Sequence, residues 1–210
     1  TGPSATGSEK GIPSSIMSAP FSSNVFIISG PSCSGKDTLY AEIKKLIPGI
    51  KQTTSVTTRE QRPNETEGVD YYYVTEEEFK DMIAKDVFVE YIFYDNHLYG
   101  TFKKELEVAL ESNGIYVLII DVRGAIKIKE LFPQTTSIFI LPPSLEELKR
   151  RLIERGVNTE EEITNRLCIA DSEMKLQHKY DHRVVNDILE NSVDEVKNII
   201  IKHYAEGSEV

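Results

Sequence analysis

The sequence predicts an α/β fold, with a parallel central sheet between two layers of helices, a small mixed α+β insertion and a helical lid. Three observations carry this expectation. Continuous apolar runs at Val25–Ser29, Tyr116–Ile120 and Ser137–Leu141 read as strands buried on both faces. Amphipathic helical patterns separate them, as crossovers between parallel strands require. Residues 55–101 break the rhythm with polar turns, a tyrosine-rich run and short strand-like segments. At 210 residues, 40% hydrophobic and 28% charged, the chain suits one globular domain.

In chain order, residues 1–23 are rich in Ser, Gly, Pro and Thr and read as a disordered tail or leader, with Met17 a candidate start. The domain then spans 24–210. Thr38–Leu46 has helical spacing through Leu39, Ile43 and Leu46, and Pro48-Gly49 stops it. Tyr71–Val74 predicts a strand, Glu76–Ala84 a short helix, and the stretch around Val87–Tyr94 two more strand-like runs. Helices are expected over Lys103–Glu111, Ala125–Leu131, Leu145–Arg155, Thr159–Met174 and Val193–Tyr204, with a short strand at Val184-Val185. Ser144 followed by Glu147, and Ser192 followed by Glu195, predict capping boxes. The core then comprises 24–54 and 102–204, and the insertion about 55–101. Charge-rich Glu154–Asn165 reads as a mobile lid between two helices, with bounds of about 154–166.

A net charge of −10 leaves no basic patch for a nucleic-acid polymer, although a few arginines in one cleft still suffice for a nucleotide. No apolar run approaches a membrane span. Cys33 and Cys168 lie far apart with no metal-ligand pattern, which points to a reducing, cytoplasmic setting.

The first chemical motif is Gly30-Pro31-Ser32-Cys33-Ser34-Gly35-Lys36, placed directly after an apolar strand and before a helix. Such a phosphate-binding loop turns successive backbone N–H groups toward an anion, and the helix presents its positive end. Lys36 adds a charge on the β/γ-phosphates of a nucleoside triphosphate such as ATP. The motif then wants Ser or Thr for Mg²⁺; here Asp37 occupies that place and Thr38 follows one position late. Asp121 closes the apolar strand, where an acid either orients a metal-bound water or caps the next turn. These three residues form the candidate metal set.

Downstream, Thr57-Thr58-Arg59-x-x-Arg62-x-x-Glu65-x-x-Gly68-x-Asp70-Tyr71-x-Tyr73 gathers guanidinium and hydroxyl donors suited to a phosphate monoester, or forms a solvated loop. Glu90 lies on an otherwise apolar strand ahead of Tyr99-Gly100-Thr101. A buried carboxylate there suits two adjacent ring N–H donors, as guanine has; the open alternative is an outward-facing Glu on an edge strand. Of the helix-borne arginines, Arg150 reads as paired with Glu147 and Glu154, while Arg151, Arg155 and Arg166 are available to a phosphoryl group.

The order of these motifs, with Pro142-Pro143-Ser144 and Val185-Asn186-Asp187, resembles guanylate kinase over essentially residues 24–204. The resemblance implies a P-loop fold whose ATP-binding core, GMP-binding insertion and lid close around MgATP and GMP or dGMP, in a monomer or homodimer. It implies Gly30, Pro31, Ser32, Cys33, Ser34, Gly35, Lys36, Asp37 and Thr38 on the ATP phosphates and Asn186 near adenine. Ser55, Arg59, Arg62, Tyr71 and Tyr99 are implied on the GMP phosphate, and Glu90 with Thr101 on guanine. Glu65, Gly100 and Asp121 complete the GMP-binding set. Lys36, Arg59, Arg151, Arg155 and Arg166 are the implied catalytic residues. Three positions depart from the family pattern: Cys33 stands where glycine is common, Asp37 where Ser or Gly is usual, and Ile119 where an acid is often found. Cys33 must therefore avoid positive φ or be strained. Asp37 also suits a related ribose bisphosphate kinase, which has no use for Glu90. A catalytically weak guanylate-kinase-like binding module would have no use for Gly35-Lys36.

Overall fold

The computed structural model describes residues 24–156 and 159–208, and the expectation for residues 1–23 lies outside the described residues. The first sheet has five strands in the order β2-β7-β1-β8-β9, all parallel. They are β1 (Val25–Ser29), β2 (Lys51–Gln52), β7 (Tyr116–Ile119), β8 (Thr136–Leu141) and β9 (His182–Val185). Alternation along the strands divides the core into two layers. Phe26, Ile28, Val117, Ile138 and Ile140 face α1 (Lys36–Leu46) and α7 (Leu189–Ser208). Val25, Ile27, Leu118 and Phe139 face α3 (Lys103–Glu111) and α4 (Val122–Leu131). Burial on both sides explains why these strands are apolar throughout.

The second sheet is mixed, in the order β4-β3-β6-β5. It pairs β3 (Ser55–Thr57) parallel with β4 (Tyr71–Tyr73) and antiparallel with β6 (His97–Phe102), which closes a hairpin with β5 (Phe88–Tyr94). Its own core is aromatic. Phe79, on α2 (Glu76–Ala84), stacks on Phe88 at 4.7 Å, and Phe88 stacks on Phe102 at 5.6 Å. Gly100 exists for this packing, since a Cβ there would meet the Phe88 ring at 2.8 Å.

Two sequence expectations change. The segment 154–165 is mostly helix: α5 runs Leu145–Glu154, Thr159 caps α6 (Glu160–Met174), and only a short connection lies between them. Ser144 does cap α5, its hydroxyl accepting from the Glu147 backbone N–H. Ser192 does not start a helix. It lies inside α7, donating to the carbonyls of Val185 and Ile188, and α7 begins at Leu189. A hydroxyl inside the first turn can turn back onto preceding carbonyls, which an S-x-x-E pattern does not reveal.

Replacing Phe79 by Ala is expected to cost about 3–5 kcal/mol, because a fully buried ring leaves a cavity between two aromatic neighbours. Urea unfolding of the variant and parent measures this; a loss below about 1 kcal/mol would contradict a packed second core.

Candidate active site

The loop after β1 takes positive φ at Gly30 (147°), Cys33 (63°) and Gly35 (93°). A Cβ at Gly30 would lie 2.2 Å from the Ile140 carbonyl oxygen, so that glycine is sterically required. Cys33 answers the sequence question by accepting a left-handed backbone, at a cost on the order of 1–2 kcal/mol. Its side chain packs beside Leu148, Leu152 and Ala170, and its Sγ receives Arg155 Nη1 at 3.5 Å. Lys36 curls back over the loop, donating from Nζ to the carbonyls of Gly30 (2.7 Å) and Pro31 (2.9 Å). Burial pulls its pKa below the usual lysine value, against the opposing charges of Asp37 and Glu173.

Two lobes open from this loop. The first is walled by β3, β5 and β6 on one side and by the loop, the end of β7 and α6 on the other. Ser55, Arg59, Arg62, Tyr71, Tyr99, Gly100 and Thr101 all line it. Arg59 donates from Nη2 to both carboxylate oxygens of Glu65 (2.8 and 2.9 Å) and lies over the rings of Tyr71 and Tyr73. Glu65 itself is not part of the wall. It braces the wall, accepting also from the Arg62 backbone N–H and the Tyr73 hydroxyl. Burial alone would raise the Glu65 pKa, but these hydrogen bonds hold it below the ordinary range.

Glu90 stands at the other end of the same lobe, 3% exposed. Although β5 is an edge strand, α4 covers that edge, and the absence of a Cβ at Gly124 lets α4 approach Glu90 Oε2 closely. Thr101, its cross-strand partner, donates to Glu90 Oε1 at 2.7 Å, and Oε2 has no partner among the described residues. Burial, reinforced by the neighbouring Asp121, pushes the Glu90 pKa up to about 7. The outward-facing alternative is therefore excluded. Asp121 is the N-cap of α4, its Oδ1 accepting from the backbone N–H groups of Arg123 and Gly124 at 3.0 Å. It also lines the lobe, and burial raises its pKa.

The second lobe lies beyond Gly35 and Thr38, between Arg151, Asn186 and Asp187. Asn186 Nδ2 donates to the Ser34 carbonyl (2.9 Å), and Arg151 Nη2 to the Asn186 carbonyl (2.9 Å). Arg151 thus lines the second lobe, where it also braces the loop, rather than the first. Arg150 pairs with Glu147 and Glu154. Arg166 lines the first lobe and is held by Asp95 at 3.0 Å, in the hairpin turn between β5 and β6. Cys33, Lys36, Asp37 and Arg155 line both lobes.

Among the described residues, no group of three or more His, Cys, Asp or Glu side chains converges to hold a metal ion. Mg²⁺ does not need one, since it keeps several waters and binds through one or two carboxylates plus substrate phosphates. Exposed Asp37, shared by both lobes, fits that demand, whereas Thr38 and Asp121 line different lobes. Wall residues that sequence reasoning missed are Tyr94, Asp95, His97 and Glu173. Tyr94 had a signal, because it shares the strand face of Glu90 by alternation.

The guanylate kinase family profile matches residues 22–203. A guanylate kinase from Oceanobacillus iheyensis is 43% identical over 176 residues, covering 84% of this chain and 85% of that protein. One from Caldanaerobacter subterraneus is 42% identical over 177 residues, covering 84% and 86%. The crystal structure of guanylate kinase from Anaplasma phagocytophilum has a TM-score of 0.69 at 32% identity, covering 86% of this chain and 85% of that one.

Because the Glu90 carboxyl titrates at about 7 in the fold, against an ordinary value of 4.5, the folded state binds more protons than the unfolded chain between those pH values. Its contribution to stability therefore falls as pH rises from the ordinary carboxylate range through about 7. Glu90→Gln is expected to be more stable than the parent at pH 8, by on the order of 3 kcal/mol at most, with the gap closing toward pH 4.5. Urea unfolding across that range reads the difference; a gap that does not narrow on acidification contradicts it.

Proposed function

The chain belongs to the guanylate kinase family, and from that membership we propose its reaction: reversible transfer of the γ-phosphoryl group of ATP to GMP or dGMP, giving ADP and the diphosphate. The observation that carries this is the junction of the two lobes. A triphosphate on the Gly30–Lys36 loop ends where Cys33, Lys36, Asp37 and Arg155 face both lobes, so its terminal phosphoryl group meets an anion held in the first lobe.

On the donor side, loop amides and the start of α1 hold the phosphates, and Lys36 transfers its N–H groups from the loop carbonyls to them. Asn186 forms the wall beside the nucleoside. On the acceptor side, Arg59, Arg62, Tyr71, Tyr99 and Ser55 hold the monophosphate. Glu90 accepts from the ring N–H and exocyclic amine of guanine, and Thr101 stands beside the carbonyl oxygen. Adenine lacks that ring N–H, so Glu90 would face a lone pair and stay partly unsatisfied. A ribose bisphosphate acceptor would leave Glu90 with no donor pair at all.

The nucleophile is a phosphate oxygen already ionised at neutral pH, so no general base is needed. The chain's contribution is to align two anions and to neutralise charge with Lys36, Arg155 and Arg166. Asp37, with Thr38 nearby, would hold Mg²⁺ together with the triphosphate, and the ion would supply further charge neutralisation. Arg155 and Arg166, near the two ends of the expected lid of about 154–166, border the first lobe, and closure there would exclude water. Arg166 exchanges Asp95 for the phosphoryl group as substrates arrive. The free thiols of Cys33 and Cys168 support a reducing, cytoplasmic setting.

An ADP-release assay with MgATP and each of GMP, AMP, CMP and UMP should show turnover with GMP far above the others. Folded protein with no GMP-dependent turnover would sink the proposal. Glu90→Gln should lose most of the preference for GMP over AMP, and in the parent the KM for GMP should rise as pH falls below about 7 and Glu90 takes up its proton. Asp37→Ser should raise the Mg²⁺ concentration needed for half-maximal rate; an unchanged requirement would remove Asp37 from the metal.

A further inference from the structure

Glu173 takes part in none of these steps, yet it is built into the wall of the acceptor lobe. It lies in the last turn of α6 and is 7% exposed. Its Oε2 is out of contact with solvent and has no hydrogen-bond partner among the described residues. A buried carboxyl oxygen without a donor is expensive, and an apolar side chain would have been cheaper at this position. The group thus calls for a donor that the described residues do not supply.

Its surroundings limit what that partner is. Lys36, Asp121 and Arg123 act on Glu173 electrostatically, and Tyr94 of β5 feels its charge. Glu173 thus stands where the β5 wall meets the wall of loop and strand ends. Burial, with Asp121 as a like charge and Lys36 opposing, pushes its pKa up to about 7. Lys36 already donates to two loop carbonyls and its role is toward the triphosphate. Phosphate oxygens carry no proton to donate at neutral pH and are repelled by a carboxylate. The N–H pair of the base belongs to Glu90. The second N–H of the exocyclic amine falls to Asp121, whose carboxyl lies beside that of Glu90 at Gly124. The acceptor nucleotide is then left with its ribose hydroxyls, and its ribose occupies the same lobe that Tyr94 and Glu173 line.

We propose that Glu173 accepts a hydrogen bond from a ribose hydroxyl of the acceptor nucleotide and so favours the ribonucleotide over its deoxy counterpart. This rests on the GMP-phosphorylating reading and sharpens it: the same site reads base, phosphate and sugar with three separate sets of groups.

The test measures kcat/KM for GMP, 2′-dGMP and 3′-dGMP with saturating MgATP, for the parent, Glu173→Leu and Glu173→Gln. The parent should favour GMP over one of the two deoxynucleotides by roughly 10–100-fold, as expected for a hydrogen bond to a charged group. Leucine removes the acceptor, so Glu173→Leu should lower GMP to the level of that deoxynucleotide while leaving the deoxynucleotide itself within about threefold of the parent. Glutamine keeps an amide oxygen, so Glu173→Gln should retain part of the preference, and it serves alone if the leucine variant does not fold. A ratio of GMP to both deoxynucleotides that is the same in parent and variants overturns the proposal. So does an equal loss for all three substrates accompanied by a changed Mg²⁺ requirement, which would put Glu173 on the metal side. Absence of GMP turnover by the parent is a separate result that defeats the underlying reading instead.

Discussion

Crowding of like charge in one cleft is the constraint around which the site is organised. In a chain of net charge −10, Arg59, Arg62, Arg155 and Arg166 all line the acceptor lobe. The tension is visible at Arg62, whose pKa is drawn below its usual value by burial and then by Arg155 and Arg59. The other three have individual restraints: Arg59 on Glu65, Arg166 on Asp95 and Arg155 on the Cys33 sulfur. Pairs this close to solvent contribute on the order of 1 kcal/mol or less, so their effect is mainly to aim the guanidinium groups. Glu65 relieves part of the crowding by pairing with both Arg59 and Arg62, and an anion between the four relieves more.

The opposite end of the lobe has the opposite problem. Glu90, Asp121 and Glu173 are carboxyls with raised pKa values, and Glu90 and Glu173 each keep one oxygen unpartnered among the described residues. A ligand that fits must be anionic at one end and rich in N–H or O–H donors at the other. A nucleoside monophosphate with a guanine base is such a molecule, and binding it satisfies both ends at once. The residues of the site thus store unfavourable electrostatics, which a ligand of that kind relieves at both ends.

What could be read from the sequence follows from how strongly each element is constrained locally. Strands β1, β7 and β8 were legible because burial on both faces makes them continuously apolar. β2 and β3 were not, since Lys51–Gln52 and Ser55–Thr57 are two or three residues of polar or mixed character that pair only through tertiary contacts. The loop was legible because its spacing is the chemistry itself, including the question posed by Cys33. Glu65 was legible as a member of the arginine motif, but its bracing position behind Arg59 depends on the path of the following turn. Asp95 and Glu173 were invisible for another reason. Asp95 occupies a two-residue hairpin turn with Asn96, both at positive φ, where Asp is expected for conformational reasons alone. Glu173 lies on a helix whose other charges are mostly solvated, and only packing shows which of them faces inward.

The β5 bulge shows how packing and chemistry are tied together. Strand register against β6 shifts between Phe88 and Glu90, leaving Val89 as the extra residue. Val89 packs against the α4 side of the main core, whereas Phe88 belongs to the separate aromatic core of the insertion. The strand is therefore anchored in both cores within two residues, and Glu90 follows directly from that anchor toward Asp121 and Gly124. Away from the anchor, contact between the two halves of the cleft includes the polar pair Arg166–Asp95, which carries little apolar area to lose on separation. On the function proposed above, a base at Glu90 would be held at a fixed point of the scaffold, while the phosphate end of the lobe lies where the halves are joined by polar contact. Closure there would then act on the phosphoryl groups without disturbing base recognition.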